Sequence, residues 1–125
     1  MIQTIATDKA PKALGPYSQA IVANDFVFLS GQIAIDPQSN QFIGGTIEDQ
    51  TRRVINNLAN ILQSLGSSLD KAVKTTVFLK DLSDFEAMNK IYGEFFPNHK
   101  PARSTVQVAR LPKDAAIEIE MIASI

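Results

Sequence analysis

The stretch Lys100-Pro101-Ala102-Arg103-Ser104-Thr105-Val106-Gln107-Val108, together with residues 111–114 and 116–124, decides the fold of this chain. In the first and last of these segments polar and apolar residues alternate, a pattern typical of strands that bury one face. The connecting loop contains the turn Leu111-Pro112-Lys113-Asp114. We therefore predict that residues 100–108 and 116–124 pair as an antiparallel hairpin.

The same alternation predicts which side chains meet. Arg103, Thr105 and Gln107 share one face of the first strand, and Glu118 and Glu120 share one face of the second. Directly paired residues of antiparallel strands lie on the same face, so a hairpin that pairs the apolar side chains also pairs the polar ones. We expect Arg103, Thr105 and Glu118 on one sheet face. Two interpretations remain open: a surface ion pair that contributes little, or a site that another element covers.

Length and composition indicate one globular domain over residues 1–125. Of the 125 residues, 45% are hydrophobic, which is enough to bury one core without disulfides or metals. The 12 basic and 13 acidic side chains nearly balance. Because no run of Lys or Arg could follow a phosphate backbone, nucleic acid is not an expected partner.

The amino-acid content excludes several chemistries. The sequence has no cysteine, which excludes disulfides, thiolate metal sites and a cysteine nucleophile. Its one histidine, His99, is expected to be a solvated loop residue, and no metal site is predicted. No segment approaches the ~18 apolar residues of a membrane span, and the N-terminus lacks the pattern of a signal peptide. We expect a cytoplasmic protein without a membrane partner.

The remaining segments predict a single mixed sheet with two helices. The predicted strands cover residues 2–6, 19–23, 26–35 and 73–79, and the predicted helices run from Thr46 to the stop at Gly66 and from the Ser83–Glu86 capping box to Phe95. The first helix is expected to turn Arg52, Arg53, Asn56, Asn57 and Gln63 toward water. Two amphipathic helices can cover one face of such a sheet, which predicts an α+β fold.

Three further features bear on a site. Ser30-Gly31 interrupts an apolar strand, and a glycine there often marks a bulge or the close approach of a ligand. Tyr17 follows Gly-Pro in an irregular arm, so its ring is either pinned in the core or part of a site. The second sheet face keeps apolar side chains that no helix covers. This surplus predicts an oligomer, with Arg103 and Glu118 in a cleft between subunits.

Several segments together resemble the RidA/YjgF/UK114 family of enamine/imine deaminases. These segments are Gly15-Pro16-Tyr17-Ser18, Leu29-Ser30-Gly31-Gln32, Lys74-Thr75-Thr76-Val77-Phe78-Leu79-Lys80-Asp81-Leu82, Pro101-Ala102-Arg103-Ser104 and Val108-Ala109-Arg110-Leu111-Pro112-Lys113-Asp114. The resemblance spans essentially the whole chain, and its last segment is specific. It implies a chorismate-mutase-like (YjgF-like) α+β subunit that forms a homotrimer with a cleft at each interface.

The resemblance also implies a chemistry. Members hydrolyse 2-aminoacrylate, 2-aminocrotonate and their imine tautomers, which pyridoxal-phosphate dehydratases release, to 2-keto acids and ammonia, without a cofactor of their own. The catalytic residues implied here are Arg103, as the carboxylate-binding group, and Glu118, as the acidic group. The implied substrate-binding residues are Tyr17, Ser30, Gly31, Phe85, Asn89, Arg103 and Thr105. Relatives often have Cys at position 105, and Thr serves equally if the backbone N–H is what binds.

Two other functions remain as alternatives. The same cleft could bind 2-keto acids or related carboxylates as a regulatory module without catalysis. Ribonuclease activity, which is sometimes attributed to this family, is disfavoured by the near-neutral charge and by the absence of a basic, aromatic-rich stretch.

Overall fold

A computed structural model describes residues 2–125 and forms one sheet with helices on one face. The strands are β1 (Ile2–Ile5), β2 (Ala20–Ala23), β3 (Phe26–Gln32), β4 (Ala72–Leu79), β5 (Ala102–Gln107) and β6 (Ile117–Ser124). The helices are α1 (Ile47–Ser64) and α2 (Phe85–Phe95). Within residues 2–125 no helix is both long and apolar enough to cross a membrane.

The six strands follow the order β1-β2-β3-β6-β4-β5. The pairs are antiparallel except for β4 and β5, which run parallel on either side of α2 in the chain. Parallel strands need a crossover, and α2 supplies it. The prediction of a single mixed sheet with two helices on one face is confirmed. The hydrophobic core lies between the sheet and the helices.

The predicted hairpin of the last two strands is wrong. β5 pairs with β4 at the sheet edge, whereas β6 pairs with both β3 and β4. β4 therefore separates the two segments that were expected to pair. Ile117 and Ile119 on β6 are fully buried, and the central position gives this apolar strand a neighbour on each side.

The true register places Arg103 and Glu118 on opposite sheet faces. Arg103 is paired with Thr75, a buried residue on the helix-covered face. Glu118 is paired with Phe78, three residues further along β4. Since side chains alternate along a strand, residues 75 and 78 point to opposite faces. The prediction that Arg103, Thr105 and Glu118 share one face is therefore wrong for Glu118.

The helix boundaries depend on local sequence more than the strand pairing does. Thr46 caps α1 by accepting a hydrogen bond from the backbone N–H of Asp49 at 3.1 Å, as predicted. The capping box predicted at Ser83–Glu86 is wrong, because the N-cap of α2 is Asp84 instead of Ser83 and makes no side-chain cap bond. Asp81 instead accepts from the N–H of Ser83 at 2.9 Å and starts a short 3₁₀ turn that leads into Phe85.

Asn57 was predicted to face water but is fully buried. Its amide donates to the carbonyl oxygen of Ile35 at 2.9 Å, and its Oδ1 accepts from Nε of Arg53 at 3.1 Å. These bonds compensate for the burial of the amide. The polar residue is thus a tie between α1 and the segment after β3.

The strand predicted over residues 26–35 ends at Gln32, with an irregularity between Leu29 and Gln32. The predicted bulge at Ser30-Gly31 is confirmed. Phe28 points away from the helices and is 45% exposed. The surface that carries Phe26, Phe28, Phe78, Val106 and Ile122 is called the open sheet face below.

Truncation at the centre of the sheet tests this register. We expect Ile119→Ala to lower the free energy of unfolding by about 2–5 kcal/mol, because it leaves a cavity at a fully buried position. The matched control is Ile43→Ala in an exposed loop, for which a change within about 0.5 kcal/mol is expected. Chemical denaturation of both variants gives the two values. Equal losses would contradict the central placement of β6.

Candidate active site

One group of polar and aromatic side chains surrounds Arg103 at the sheet edge. Nη1 of Arg103 donates to Oδ1 of Asn89 at 2.7 Å. The guanidinium carbon lies 4.7 Å from the ring centroid of Tyr92 and 5.6 Å from that of Phe85. Phe85, Asn89, Arg103 and Thr105, with Tyr92 below them, are called the arginine patch.

The spacing on α2 explains why these side chains gather. Residues 85, 89 and 92 are separated by four and three positions, so they form one stripe along the helix. This stripe lies over β5, where Arg103 and Thr105 face the helix side of the sheet. Of the predicted site residues, Phe85, Asn89 and Arg103 lie together here, and Thr105 lies two residues from Arg103 on the same sheet face. Tyr92 is not among the predicted site residues, although its spacing from Asn89 could have indicated that it neighbours Arg103.

Two features of the arginine patch leave it able to bind a ligand. An arginine has five N–H donors, and within residues 2–125 the side chain of Arg103 makes one hydrogen bond, to Asn89. The Thr105 hydroxyl is buried and has no hydrogen-bond partner among the residues that the structure describes. Buried polar atoms are normally paired, so such an atom needs an explanation.

A second group of predicted site residues lines a pocket of about 620 Å³ beside the β3 bulge. The pocket is lined by Tyr17, Ser30, Gly31 and Glu118, together with parts of the N-terminal arm. It is called the acidic pocket below. Tyr17 is 54% exposed. The alternative that its ring is pinned in the core is therefore wrong.

Backbone geometry shapes the acidic pocket. Oγ of Ser30 donates to the carbonyl oxygen of Ser18 at 2.6 Å, which fixes the bulge against the arm. A Cβ at Gly31 would overlap the Glu118 carboxylate. Glycine at this position is therefore what lets the carboxylate lie against the strand. The sequence pattern had already indicated a close approach here.

The environment of Glu118 favours its protonated form. Burial raises the pKa of the Glu118 carboxyl, and the nearby charge of Glu120 raises it further. Both groups line the same pocket. A carboxyl with a raised pKa can both donate and accept a proton closer to neutral pH than an ordinary glutamate.

The two groups do not meet within one chain. The acidic pocket contains none of the arginine-patch residues, and Arg103 and Glu118 lie on opposite faces of the sheet. The expected proximity of Arg103 to a carboxylate is wrong for the single chain. In the described part of the chain no group of three or more His, Cys, Asp or Glu side chains could hold a metal.

Fold and site together define a class: an α+β protein with one mixed sheet, helices on one face, and separate arginine and glutamate surfaces. Residues 7–125 match the family described as Endoribonuclease L-PSP. The chain belongs to this family, which is the RidA/YjgF family.

Named relatives share most of the chain. It is 43% identical to the human 2-iminobutanoate/2-iminopropanoate deaminase over 121 residues, which are 97% of this chain and 88% of the relative. It is 50% identical to the chloroplastic Reactive Intermediate Deaminase A of Arabidopsis thaliana over 123 residues, which are 98% of this chain and 66% of the relative. The crystal structure of E. coli TdcF with bound serine superposes with a TM-score of 0.93 at 44% identity, covering 98% of each chain.

The cause of the raised Glu118 pKa can be tested by substitution. We expect Glu120→Gln to lower the Glu118 pKa while leaving it above the ordinary glutamate value, because burial is the larger cause. Carboxyl-carbon NMR titration measures the change, with Glu94→Gln on α2 as a control remote from the pocket. An ordinary Glu118 pKa in the wild type would contradict the burial seen here.

The raised pKa of Glu118 also determines how this carboxyl makes the stability of the fold depend on pH. Because folding raises the Glu118 pKa, this carboxyl contributes its stabilisation below its unfolded pKa and loses it as pH rises through the folded pKa. We expect Glu118→Gln to flatten the pH dependence of the melting temperature over that range. Thermal denaturation across pH 4–8 measures it, and a variant curve parallel to the wild-type curve would contradict this assignment.

Proposed function

We propose that this protein is an enamine/imine deaminase that hydrolyses imines derived from 2-aminoacrylate and 2-aminocrotonate to 2-keto acids and ammonia. The observation that carries the proposal is the state of Arg103. Its guanidinium is held by an amide oxygen and two aromatic rings, with no carboxylate bonded to it within residues 2–125. Such a fork is suited to bidentate capture of a ligand carboxylate.

We further propose that three copies assemble so that each cleft joins the arginine patch of one subunit to the acidic pocket of the next. One chain cannot unite them, because they lie on opposite faces of its sheet. The open sheet face exposes the apolar side chains of Phe26, Phe28 and Val106 and has no helix over it, which favours coverage by other subunits. A closed ring of head-to-tail contacts places two different surfaces together at every interface.

In this cleft the chemistry divides between the two subunits. Arg103 fixes the carboxylate of the imino acid and thereby the imine carbon. Glu118 accepts a proton from the attacking water as its oxygen bonds to that carbon. It then returns that proton to nitrogen, which gives a carbinolamine. The hydroxyl proton of the carbinolamine next passes through Glu118 to the amino group, so that the C–N bond breaks, ammonia leaves and a keto group forms. The balance of the step is one water consumed, and no electrons are transferred to a cofactor.

The side chains around this centre have supporting roles in the proposal. Tyr17 and Phe85 would wall the cleft and restrict bulk water, which favours small aliphatic substrates. Ser30 and Gly31 shape the wall beside Glu118. The unpaired Thr105 hydroxyl lies two residues from Arg103 on the same face, where a bound carboxylate or imine nitrogen could supply the missing partner.

The relatives support the reaction class and the ligand class separately. The human and Arabidopsis relatives are named deaminases. The E. coli relative was crystallised with serine, an amino acid with a free carboxylate. This last observation also favours the second candidate, a regulatory module that binds small carboxylates without turnover. The two candidates differ in whether the wild-type protein accelerates hydrolysis.

Substitution of Arg103 tests the proposed carboxylate contact. Arg103→Ala should reduce the acceleration of keto-acid formation in a threonine dehydratase reaction by about 10²-fold or more, because a buried charged contact is lost. Arg103→Lys should recover only part of it, since an ammonium cannot form the bidentate pair. Keto acid is followed with lactate dehydrogenase and NADH.

The matched control is Arg52→Ala, which removes a surface arginine that pairs with Glu94 on α2. We expect its activity to equal that of the wild type. A folded Arg103→Ala protein with full acceleration would remove Arg103 from the mechanism. A wild type that binds 2-ketobutyrate but does not accelerate the reaction would favour the regulatory module.

Mixed oligomers test the assignment of the two halves to different subunits. Arg103→Ala and Glu118→Gln are each expected to be inactive alone. If one cleft uses Arg103 from one subunit and Glu118 from the next, every mixed trimer contains one intact cleft. Refolding the two variants together in equal amounts should then restore about one quarter of wild-type activity.

Refolding each variant alone is the control for this experiment. Recovery near one quarter supports the shared cleft. No recovery, in mixtures shown by mass spectrometry to contain mixed trimers, would mean that both residues act within one subunit or that the cleft is not the site.

A further inference from the structure

Arg103 contacts two aromatic rings and one amide oxygen. A guanidinium has its N–H donors in its own plane, while aromatic rings contact it from above or below. Tyr92 lies at 4.7 Å and Phe85 at 5.6 Å from the guanidinium carbon. These rings stabilise the positive charge. Asn89 occupies a donor on Nη1, at 2.7 Å.

The ring of Tyr92, the nearer of the two, is held in place by a hydrogen bond and by packing. Tyr92 is only 7% exposed, and its hydroxyl is 2.7 Å from Oγ1 of Thr75 in a buried hydrogen bond. Thr75 is the direct strand partner of Arg103. The ring also packs against Phe96, with centroids 4.7 Å apart. Thr75 therefore contacts both other residues: it pairs with Arg103 in the sheet and bonds to Tyr92, whose ring in turn contacts the guanidinium of Arg103.

We propose that Tyr92 is a positioning residue that holds the guanidinium plane of Arg103 in the orientation required to receive a carboxylate. This inference rests on the proposed function for the identity of the ligand, but its structural part concerns Arg103 in the free protein. Burial raises the pKa of Tyr92, against opposing effects of the Thr75 bond and of the Arg103 charge. The phenol thus stays neutral near pH 7, and its contribution to binding comes through Arg103.

Substitutions can test the ring and the hydroxyl of Tyr92 separately. The ring supplies the surface on which the guanidinium lies, and the hydroxyl fixes the ring through Thr75. Tyr92→Phe keeps the ring, so we expect the Kd of 2-ketobutyrate to stay within about threefold of the wild-type value. Tyr92→Leu removes the aromatic face, and we expect the Kd to rise roughly five- to thirtyfold.

The binding experiment uses the assembled wild-type protein and variants with 2-ketobutyrate as the probe, measured by isothermal titration calorimetry. In the coupled assay Tyr92→Leu should raise KM more than it lowers kcat, because ligand capture is what the ring supports. Met88→Ala, a truncation of another buried residue on α2, is the control for lost stability. It should destabilise the protein while leaving the Kd unchanged.

NMR of the ligand-free protein gives a readout that stability alone does not move. Protons over the face of an aromatic ring are shifted upfield, so the Nε–H of Arg103 should show this shift in the wild type and in Tyr92→Phe and lose most of it in Tyr92→Leu. If Tyr92→Leu does not fold, Tyr92→Met replaces it as a variant of closer volume without an aromatic face.

Three results would overturn the inference. One is a wild-type Arg103 resonance without the upfield shift. Another is a folded Tyr92→Leu or Tyr92→Met protein with wild-type affinity, and the third is an equal loss of affinity in Met88→Ala. Failure of the proposed function gives a different pattern: the ring-current shift is present, but the wild type neither binds 2-ketobutyrate nor accelerates imine hydrolysis.

Discussion

The insertion of β6 between β3 and β4 is the constraint on which the rest of the structure depends. The strand is hydrogen-bonded on both sides, and its alternate residues Ile117, Ile119, Met121 and Ala123 are buried under the helices. Because side chains alternate along a strand, Glu118 and Glu120 must lie on the opposite face, away from the helices. Once β6 occupies the centre, β5 can pair only at the edge, on the far side of β4. The positions of the candidate site residues follow from these two placements.

The edge position of β5 explains why its polar face turns toward the helices. α1 packs over β3 and β6, while the stripe of Phe85, Asn89 and Tyr92 on α2 reaches the edge strand. At the boundary of the core a side chain needs both apolar contact and access to solvent. An arginine meets both needs, because its guanidinium stacks on rings while its edge stays available for hydrogen bonds. The same place would suit a purely apolar residue less well.

Much of the fold could be predicted because it is local. The cap at Thr46 and the interruption at Ser30-Gly31 depend on residues adjacent in sequence, and both are present. The pairing of β5 and β6 could not be predicted in this way. Alternation identifies two strands and their faces but not their partners, and sequence neighbours are only the commonest choice. In a hairpin Arg103 and Glu118 would share one face, but their separate pairing with β4 places them on opposite faces.

In the candidate site, too, local contacts could be predicted from the sequence, and contacts that depend on strand pairing could not. Phe85 and Asn89 are four residues apart on one helix, so their meeting with each other was fixed by the helical repeat. Their meeting with Arg103 required the parallel β4-α2-β5 crossover. Tyr92 belongs to an apolar stripe, and nothing in the pattern separates a ring that packs only on the core from one that also supports a cation. Asn57 shows the reverse error, since a polar residue on a helix was assigned to water although a buried carbonyl group needed a donor.

The separation of Arg103 and Glu118 within a subunit has an electrostatic consequence. A direct pair would lower the pKa of the glutamate and occupy the arginine's fork, which would make each group less useful for the proposed reaction. Held on opposite faces, the carboxyl keeps its raised pKa and the guanidinium keeps its donors. In the proposed trimer the two come together across an interface, where a bound carboxylate can lie on the arginine instead of the glutamate. The ligand's own charge then completes the pairing of Arg103, and Glu118 remains available to carry a proton.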